Sequence, residues 1–270
     1  MSNLSASIYG RGGPSASGKQ AADLYLDLLE QALTGALFED VGYVPGIHPV
    51  LAKRYNPQAR RLGRDWPSRA QTMIGLTRLH HLRILMSEVL AKDIAGDFIE
   101  TGVWRGGACI FMRGLLAARG VTDRRVWAAD SFEGLPPPNP AEYPADTNDS
   151  HHTLRLLAVR LEEVKNNFAK YGLLDEQVVF LKGWFKDTLF TAPIDKLAIL
   201  RLDGDMYEST VQALDALYFK VSRGGFIIVD DYNLPNCRKA VDDFRDKHGI
   251  SDGVEDIDGF ASFWRKSSGD

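Results

Sequence analysis

Two short hydrophobic runs in the second half of the chain each end abruptly on aspartates. The first belongs to LAILRLDGDMY, Leu197–Tyr207, and the second to GGFIIVDDY, Gly224–Tyr232. Short aliphatic and β-branched runs of this kind are typical of buried strands in a parallel sheet. Ligands of open parallel sheets bind beyond the carboxyl ends of the strands. The pattern therefore predicts four carboxylates on the functional edge of a sheet: Asp203, Asp205, Asp230 and Asp231.

Strand and helix patterns alternate through the rest of this region. Further strands are predicted at Phe98–Ile99, Val126–Ala128 and Val178–Phe185, and a terminal pair of strands within Val254–Lys266. The alternation predicts an α/β fold, a mostly parallel sheet with helices on both faces. The predicted helices are 108–120, Leu154–Tyr171, Tyr207–Phe219 and Asn236–His248.

The first third of the chain has a different pattern. Residues 1–20 are rich in Ser and Gly, and we expect them to be disordered. Helical spacing of apolar residues predicts helices over Ala21–Leu37 and Arg69–Leu90. The intervening segment, which begins at Phe38, carries prolines and aromatics without a period, as either a substrate lid or a packed surface strap would. The predicted division is a tail, a helical and lid segment over 21–92, and a ligand-binding domain over 93–270.

Composition excludes several classes of protein. A formal net charge of −4, with no basic stripe, argues against nucleic acid as a partner. The two cysteines, Cys109 and Cys237, fit neither a metal spacing nor a disulfide framework. No run approaches the roughly 18 apolar residues of a membrane span, and the amino terminus does not resemble a signal peptide. We therefore expect a cytoplasmic protein with no membrane association.

A glycine-rich turn follows the first predicted strand. Its sequence, ETGVWRGG at 100–107, is neither the G-x-G-x-x-G of dinucleotide enzymes nor a P-loop. The glycines allow close approach of the backbone to a ligand, and Glu100 suits a ligand with amino or hydroxyl groups. A purely structural turn is the alternative. Asp130 ends the next strand about 30 residues later, the position at which an acidic residue binds ribose hydroxyls in nucleoside-binding folds.

Other candidate residues allow two interpretations each. Trp184 could stack on a flat ring or pack in the core. His80 and His81 are adjacent on a predicted helix and cannot face one ligand together, so we do not expect a metal site there. His151 and His152 lie in a Pro- and Asn-rich loop, 136–152, and are expected at the surface.

The four aspartates favour a metal site. Several carboxylates on one edge repel each other unless a cation lies among them, and an all-oxygen donor set suits Mg²⁺. The alternative is that each pair caps the following helix, which stabilises by about 1 kcal/mol. Two such pairs on neighbouring strands favour the metal.

In combination, four motifs resemble the TylF/MycF family of metal- and S-adenosylmethionine-dependent sugar O-methyltransferases. They are ETGVWRGGA at 100–108, DSFEGLPPP at 130–138, LRLDGDMYEST at 200–210 and VDDY at 229–232. The resemblance covers roughly 20–266. It implies a class I methyltransferase fold, Rossmann-like, with a mostly parallel seven-stranded sheet and an N-terminal helical extension. It also implies methylation of a deoxysugar hydroxyl on a glycosylated small molecule, of macrolide or aminocoumarin antibiotic type.

The resemblance also assigns roles to residues. Asp203, Asp230 and Asp231 would hold Mg²⁺, and Asp205 would be the general base. S-adenosylmethionine would contact Asp203 and a larger set: Thr72, Met73, Glu100, Thr101, Gly102, Val103, Trp104, Arg105, Asp130, Ser131, Phe132, Gly183 and Trp184.

Other functions remain open from the sequence. The same metal chemistry fits a catechol or phenol O-methyltransferase. A non-catalytic nucleoside-binding subunit would have no need of all four acidic positions, and a nicotinamide dehydrogenase is disfavoured by the missing G-x-G-x-x-G. The long apolar N-terminal helices suggest a homo-oligomer.

Overall fold

The computed structural model describes residues 20–43 and 54–267. Residues 1–19 of the tail that was expected to be disordered lie outside the described residues. So do residues 44–53 of the segment that begins at Phe38. No helix in the described residues is both long and apolar enough to span a membrane. The helices are α1 Ala21–Leu33, α2 Pro57–Arg61, α3 Gly75–Ala91, α4 Gly107–Ala118, α5 Leu161–Lys170, α6 Phe185–Thr188, α7 Tyr207–Leu217 and α8 Pro235–Lys247. The strands are β1 Gly42–Tyr43, β2 Trp66–Pro67, β3 Asp97–Thr101, β4 Val126–Asp130, β5 Val178–Lys182, β6 Leu197–Leu202, β7 Val221–Val229, β8 Glu255–Asp256 and β9 Ser262–Arg265.

The main sheet has seven strands in the order β5-β4-β3-β6-β7-β9-β8. Strands β3 to β7 pair in parallel, and the terminal strands β8 and β9 add an antiparallel edge. The chain runs outward from β3 to β5 and then crosses back to β6 on the other side of β3. Ligands bind at such a reversal of strand order, beyond the carboxyl ends of the strands. The predicted sheet, including its terminal pair, is confirmed, except that the strand predicted over Val178–Phe185 ends at Lys182 and Phe185 begins α6.

Two hydrophobic clusters fill the two faces of this sheet. One contains Phe98 and Ile199 and packs against α1, α3, α4 and α5; the other contains Ile99 and Leu200 and packs against α7 and α8. Successive residues of a strand point to opposite faces, so neighbours in β3 and in β6 enter different clusters. Helices on both faces were predicted, and the burial confirms them.

Two predicted N-terminal helices are shorter than their apolar spacing suggested. The first ends at Leu33 instead of Leu37, and the second begins at Gly75 instead of Arg69. The Asp40 carboxylate accepts the backbone N–H groups of Arg69 and Ala70, which holds that stretch outside the helix. Gly75 has φ +76°, and a Cβ there would lie 2.3 Å from the Gly63 backbone nitrogen. The predicted helix Leu154–Tyr171 is likewise shortened to α5, with a short 3₁₀ turn before it.

The described parts of the segment after Phe38 are packed around a buried arginine. The Arg60 guanidinium is fully buried, forms a two-pronged ion pair with Asp65, and donates to the carbonyl oxygens of Thr34 and Asp40 at 2.8 Å. Gly63, Arg64 and Trp66 also line the large cavity of the molecule. This region is therefore both a packed strap and a wall of that cavity.

A second buried arginine joins the three central strands. Arg201 of β6 lies opposite Glu100 of β3 in the register, and its side chain is 2% exposed. It donates to Glu100, to Asp203 at 2.6 Å and to Asp230 at 2.5 Å. One guanidinium thus links the ends of β3, β6 and β7.

We predict that Arg201→Met lowers the free energy of unfolding by about 3–5 kcal/mol, because it leaves buried carboxylates without a counter-charge. Arg223→Met is the matched control, since Arg223 is an exposed arginine on the neighbouring strand β7, and we expect it to stay within about 0.5 kcal/mol of wild type. Urea unfolding measures both. A loss below about 1 kcal/mol in Arg201→Met would mean that the guanidinium does not hold the strands together.

His81 joins α3 to the sheet, because its ring packs edge-on against Phe263 of β9 at 4.5 Å. Its Nδ1 is buried without a hydrogen-bond partner. Burial, followed by repulsion from His80, lowers the pKa of His81 from 6.5 to about 4. The native state therefore binds this proton more weakly than the unfolded state does.

We predict that His81 costs stability as the pH falls from about 6.5 to about 4, and nothing above that window. His81→Phe, which retains a ring and cannot take up a proton, should lose less stability than wild type between pH 7 and pH 5. Unfolding measured at both pH values tests this, with the exposed His152→Gln as control. An identical pH dependence of wild type and His81→Phe would refute it.

Candidate active site

A cavity of about 1210 Å³ opens at the carboxyl ends of β3 to β7. The turns that follow these strands line it, joined by the strap, by the loop between β4 and α5, and by Phe260 of the β8–β9 hairpin. Sites for single drug-sized ligands range from about 300 to 1,000 Å³. This cavity is larger than that range.

Three carboxylates converge at the centre of its wall. Asp203, Asp230 and Asp231 each place an oxygen within 4.8 Å of the others, the one such cluster of metal-ligating side chains within the described residues. The sheet register explains the convergence, because Leu202 pairs with both Thr101 and Val229, so Asp203 and Asp230 leave neighbouring strands at the same level. A donor set made only of carboxylate oxygens fits a hard divalent cation such as Mg²⁺.

Two guanidiniums offset part of this negative charge. Asp230 accepts from both Arg201 and Arg78, and Arg78 also lies 3.2 Å from Asp258. Asp231 makes a different contact, since its carboxylate accepts the backbone N–H of Asp205 at 3.1 Å. Desolvation and then repulsion from Asp205 raise the pKa of Asp231 well above its ordinary value, and desolvation and then Asp230 raise that of Asp203. The arginines thus leave part of the acidic charge uncompensated, which a divalent cation would balance.

Asp205 reaches the cavity through an unusual backbone conformation. The chain leaves the strand after Leu202, and Asp205 has φ +59°, a left-handed value that is uncommon for a residue other than glycine. Asp203 and Asp205 both line the cavity as expected. It is this turn, and not the alternation of side chains along an extended strand, that brings them there. Burial, and then repulsion from Asp203, raise the pKa of Asp205 to about 7.

The glycine-rich turn after β3 lies directly beside this acidic group. A Cβ on Gly102 would fall 1.7 Å from the carbonyl oxygen of Asp203, so only glycine fits where the two turns meet. Glu100 is buried between Arg201 and the Cys109 thiol, and burial raises its pKa to about 7. Asp130 accepts the backbone N–H groups of Val103 at 2.7 Å and Phe132 at 2.6 Å, which fixes the shape of the turn.

Most residues that the sequence analysis assigned to the site lie in the cavity wall. Three do not. The Thr101 hydroxyl donates to the Arg201 carbonyl at 3.4 Å, the Arg105 guanidinium donates to the carbonyls of Pro67 and Ala70, and the Phe132 ring is buried in the core. The assigned residues in the wall are Thr72, Met73, Glu100, Gly102, Val103, Trp104, Asp130, Ser131, Gly183, Trp184, Asp203, Asp205, Asp230 and Asp231.

Three of the polar residues at or behind the cavity wall that were not assigned from the sequence are Arg201, Arg78 and His151. Arg201 could have been found, because a charge inside an apolar run must have a buried partner. Arg78 gave no such signal, since an arginine on an amphipathic helix is usually exposed. His151 was expected at the surface but lines the cavity; its placement depends on contacts far away in the sequence.

Comparison with known proteins identifies, along nearly the whole chain, the family that the sequence motifs resemble. The family model described as macrocin-O-methyltransferase (TylF) matches residues 22–266. A tetracenomycin-C 4'-O-methyltransferase of Streptomyces olivaceus, named for a 2,3-dimethoxy-α-L-rhamnosyl substrate, is 50% identical and aligns over 93% of this chain and 95% of its own. Demethyldecarbamoylnovobiocin O-methyltransferase of Streptomyces niveus is 49% identical, over 91% and 94% of the two chains.

A solved structure agrees with the sequence relatives. The O-methyltransferase NovP superposes with a TM-score of 0.86 at 49% identity, over 92% of this chain and all of that one. The chain belongs to the macrocin-O-methyltransferase (TylF) family and is an S-adenosylmethionine-dependent O-methyltransferase with the class I fold.

Proposed function

We propose that this enzyme transfers a methyl group from S-adenosylmethionine to a sugar hydroxyl of a glycosylated natural product, with a divalent cation and Asp205 at the reacting centre. The observation that carries the proposal is the convergence of Asp203, Asp230 and Asp231 beside Asp205 at the reversal of strand order.

Two observations support a glycosylated acceptor. The relatives that are about half identical in sequence are named for tetracenomycin and novobiocin substrates, the first of them methylated on a rhamnosyl group. A cavity of about 1210 Å³, above the usual range for one drug-sized ligand, is consistent with a cofactor bound together with a second molecule. The novobiocin relative, and a relative named for mycinamicin III that is 46% identical, support an acceptor of the aminocoumarin or macrolide type.

The residues on the β3 and β4 side of the cavity form the proposed cofactor site. Glu100 and Gly102 would face the methionine portion, Asp130 and Ser131 the ribose, and Trp184 the adenine. Each carboxylate oxygen of Asp130 carries two lone pairs, so it can accept a ribose hydroxyl while retaining its backbone amide. Thr101, Arg105 and Phe132 would act by supporting this wall instead of touching the ligand.

The proposed chemistry follows from the positions of the aspartates. Asp203, Asp230 and Asp231 would hold a divalent cation, which would supply Lewis-acid chemistry that lowers the pKa of the acceptor hydroxyl. Asp205, held by its backbone N–H on the Asp231 carboxylate, accepts the proton of the attacking hydroxyl. Methyl transfer is then an in-line displacement, in which the remaining residues of the cavity serve to place the two reactants.

We also propose that the enzyme forms a homo-oligomer through its amino-terminal helices. Leu24 and Leu28 of α1 and Ile84 of α3 are 43%, 52% and 50% exposed. Large side chains of this kind favour burial against a second copy of the chain.

We predict that the enzyme methylates glycosylated antibiotics rather than simple catechols, that EDTA abolishes the activity and that Mg²⁺ restores it. In Asp205→Asn we expect kcat to fall by about 10²- to 10⁴-fold through loss of the base. Binding of S-adenosylmethionine by calorimetry should be unchanged in that variant. Mass spectrometry of the products measures the transfer.

Asp123→Asn is the matched control, because Asp123 is an exposed aspartate remote from the cavity lining. It should retain full activity. Wild-type turnover by Asp205→Asn would exclude Asp205 as the base. Full activity in EDTA would exclude the cation, and methylation of catechols alone would exclude the sugar acceptor.

A further inference from the structure

One buried carboxylate fixes the loop between β4 and α5 to the start of α7 and to α8. Asp146 is 1% exposed and accepts the backbone N–H groups of Tyr207 at 2.7 Å and Glu208 at 2.9 Å. It therefore caps α7, although 61 residues separate it from Tyr207. It also accepts the side-chain amide of Asn236 of α8 at 3.0 Å. Because α7 begins just after Asp205, this anchor places the loop relative to the proposed base.

Asp149, three residues further along the loop, orients a histidine. Its carboxylate accepts the backbone N–H of His151 at 2.9 Å and lies 2.8 Å from the His151 Nδ1. The Asp149 side chain is 5% exposed and also accepts from Asn236. When Nδ1 carries a hydrogen toward the carboxylate, Nε2 remains available for a ligand. The imidazole is thus oriented by a carboxylate that is itself held in place.

The His151 side chain borders the cavity on the side of Asp205. It lines the cavity and is 33% exposed, and its charge interacts with that of Asp205. Burial lowers the pKa of His151, but the charge of Asp205 and the contact with Asp149 outweigh it, so the net shift is upward. Most of the proposed cofactor residues lie around the turns after β3, β4 and β5, whereas the acidic groups whose charges act on His151 are Asp149 and Asp205. No role in the reaction proposed above uses this histidine.

We propose that His151, positioned by Asp149 and by the Asp146–Asn236 anchor, hydrogen-bonds a ring hydroxyl of the acceptor sugar adjacent to the hydroxyl that is methylated. This inference rests on the proposed sugar acceptor and adds a residue that selects its orientation. A carboxylate-oriented imidazole beside a carboxylate offers a directed hydrogen bond to a hydroxyl, the group that a sugar presents in the largest number.

The first test compares two adjacent histidines. His151→Phe keeps a ring and loses both nitrogens, and we expect KM for the glycoside to rise about 5- to 100-fold, with binding of S-adenosylmethionine unchanged. His152→Phe should behave as wild type, because His152 is exposed and does not line the cavity. Asp149→Asn should show a smaller rise in KM, since the amide oxygen can still accept from Nδ1. An unchanged KM in His151→Phe would overturn the proposal.

The second test distinguishes contact from mere structural support. Wild type and His151→Phe are assayed on monodeoxy analogues of the sugar, each lacking one hydroxyl other than the methylated one. For the hydroxyl that His151 binds, deletion should raise KM in wild type and have little further effect in His151→Phe. If deletion of each hydroxyl raised KM by the same factor in His151→Phe as in wild type, the proposed contact would be overturned. If wild type methylated only catechols, the proposed function would be refuted, and this inference with it. That result is obtained from wild type alone, so it is distinct from any difference between wild type and the variants.

Discussion

The buried charge of Arg201 is the constraint on which the acidic edge of the sheet depends. A guanidinium that is 2% exposed must be paired, and its partners stand at the ends of three adjacent strands. Glu100 is thereby fixed beside the glycine-rich turn, and Asp203 and Asp230 beside the proposed metal position. A single side chain of β6 thus sets the spacing between the proposed cofactor side and the proposed metal side of the cavity.

The same interaction explains why the edge remains acidic. Arg201 and Arg78 both pair with Asp230, whereas the carboxylate of Asp231 accepts a backbone amide and has its pKa raised. Further acidic charge at Asp203 and Asp205 lies close by. This imbalance favours a cation, and the left-handed backbone at Asp205 places a carboxylate next to it. In the proposed reaction, substrate hydroxyl, metal and base therefore meet at one point.

Much of this arrangement could be predicted from the sequence, because it is local. Strand ends are visible as apolar runs that stop on aspartates, and parallel strands bring such ends to one edge, so the four acidic residues were found. The start of α3 was not, since Asp40 holds Arg69 and Ala70 outside that helix through a contact between distant residues. His151 was missed for the same reason: its position depends on Asp146, whose partners on α7 and α8 are far away in sequence. Contacts of this kind leave no periodic signal.

The most direct test of the account is the binding of a divalent cation at the three carboxylates. Mn²⁺ titration followed by electron paramagnetic resonance should give a single bound ion per wild-type chain. Asp231→Asn, which leaves both arginine pairs of Asp230 intact, should weaken that affinity at least about tenfold, and Asp123→Asn should leave it unchanged. Equal Mn²⁺ affinity in wild type and Asp231→Asn, or no binding by wild type, would contradict it.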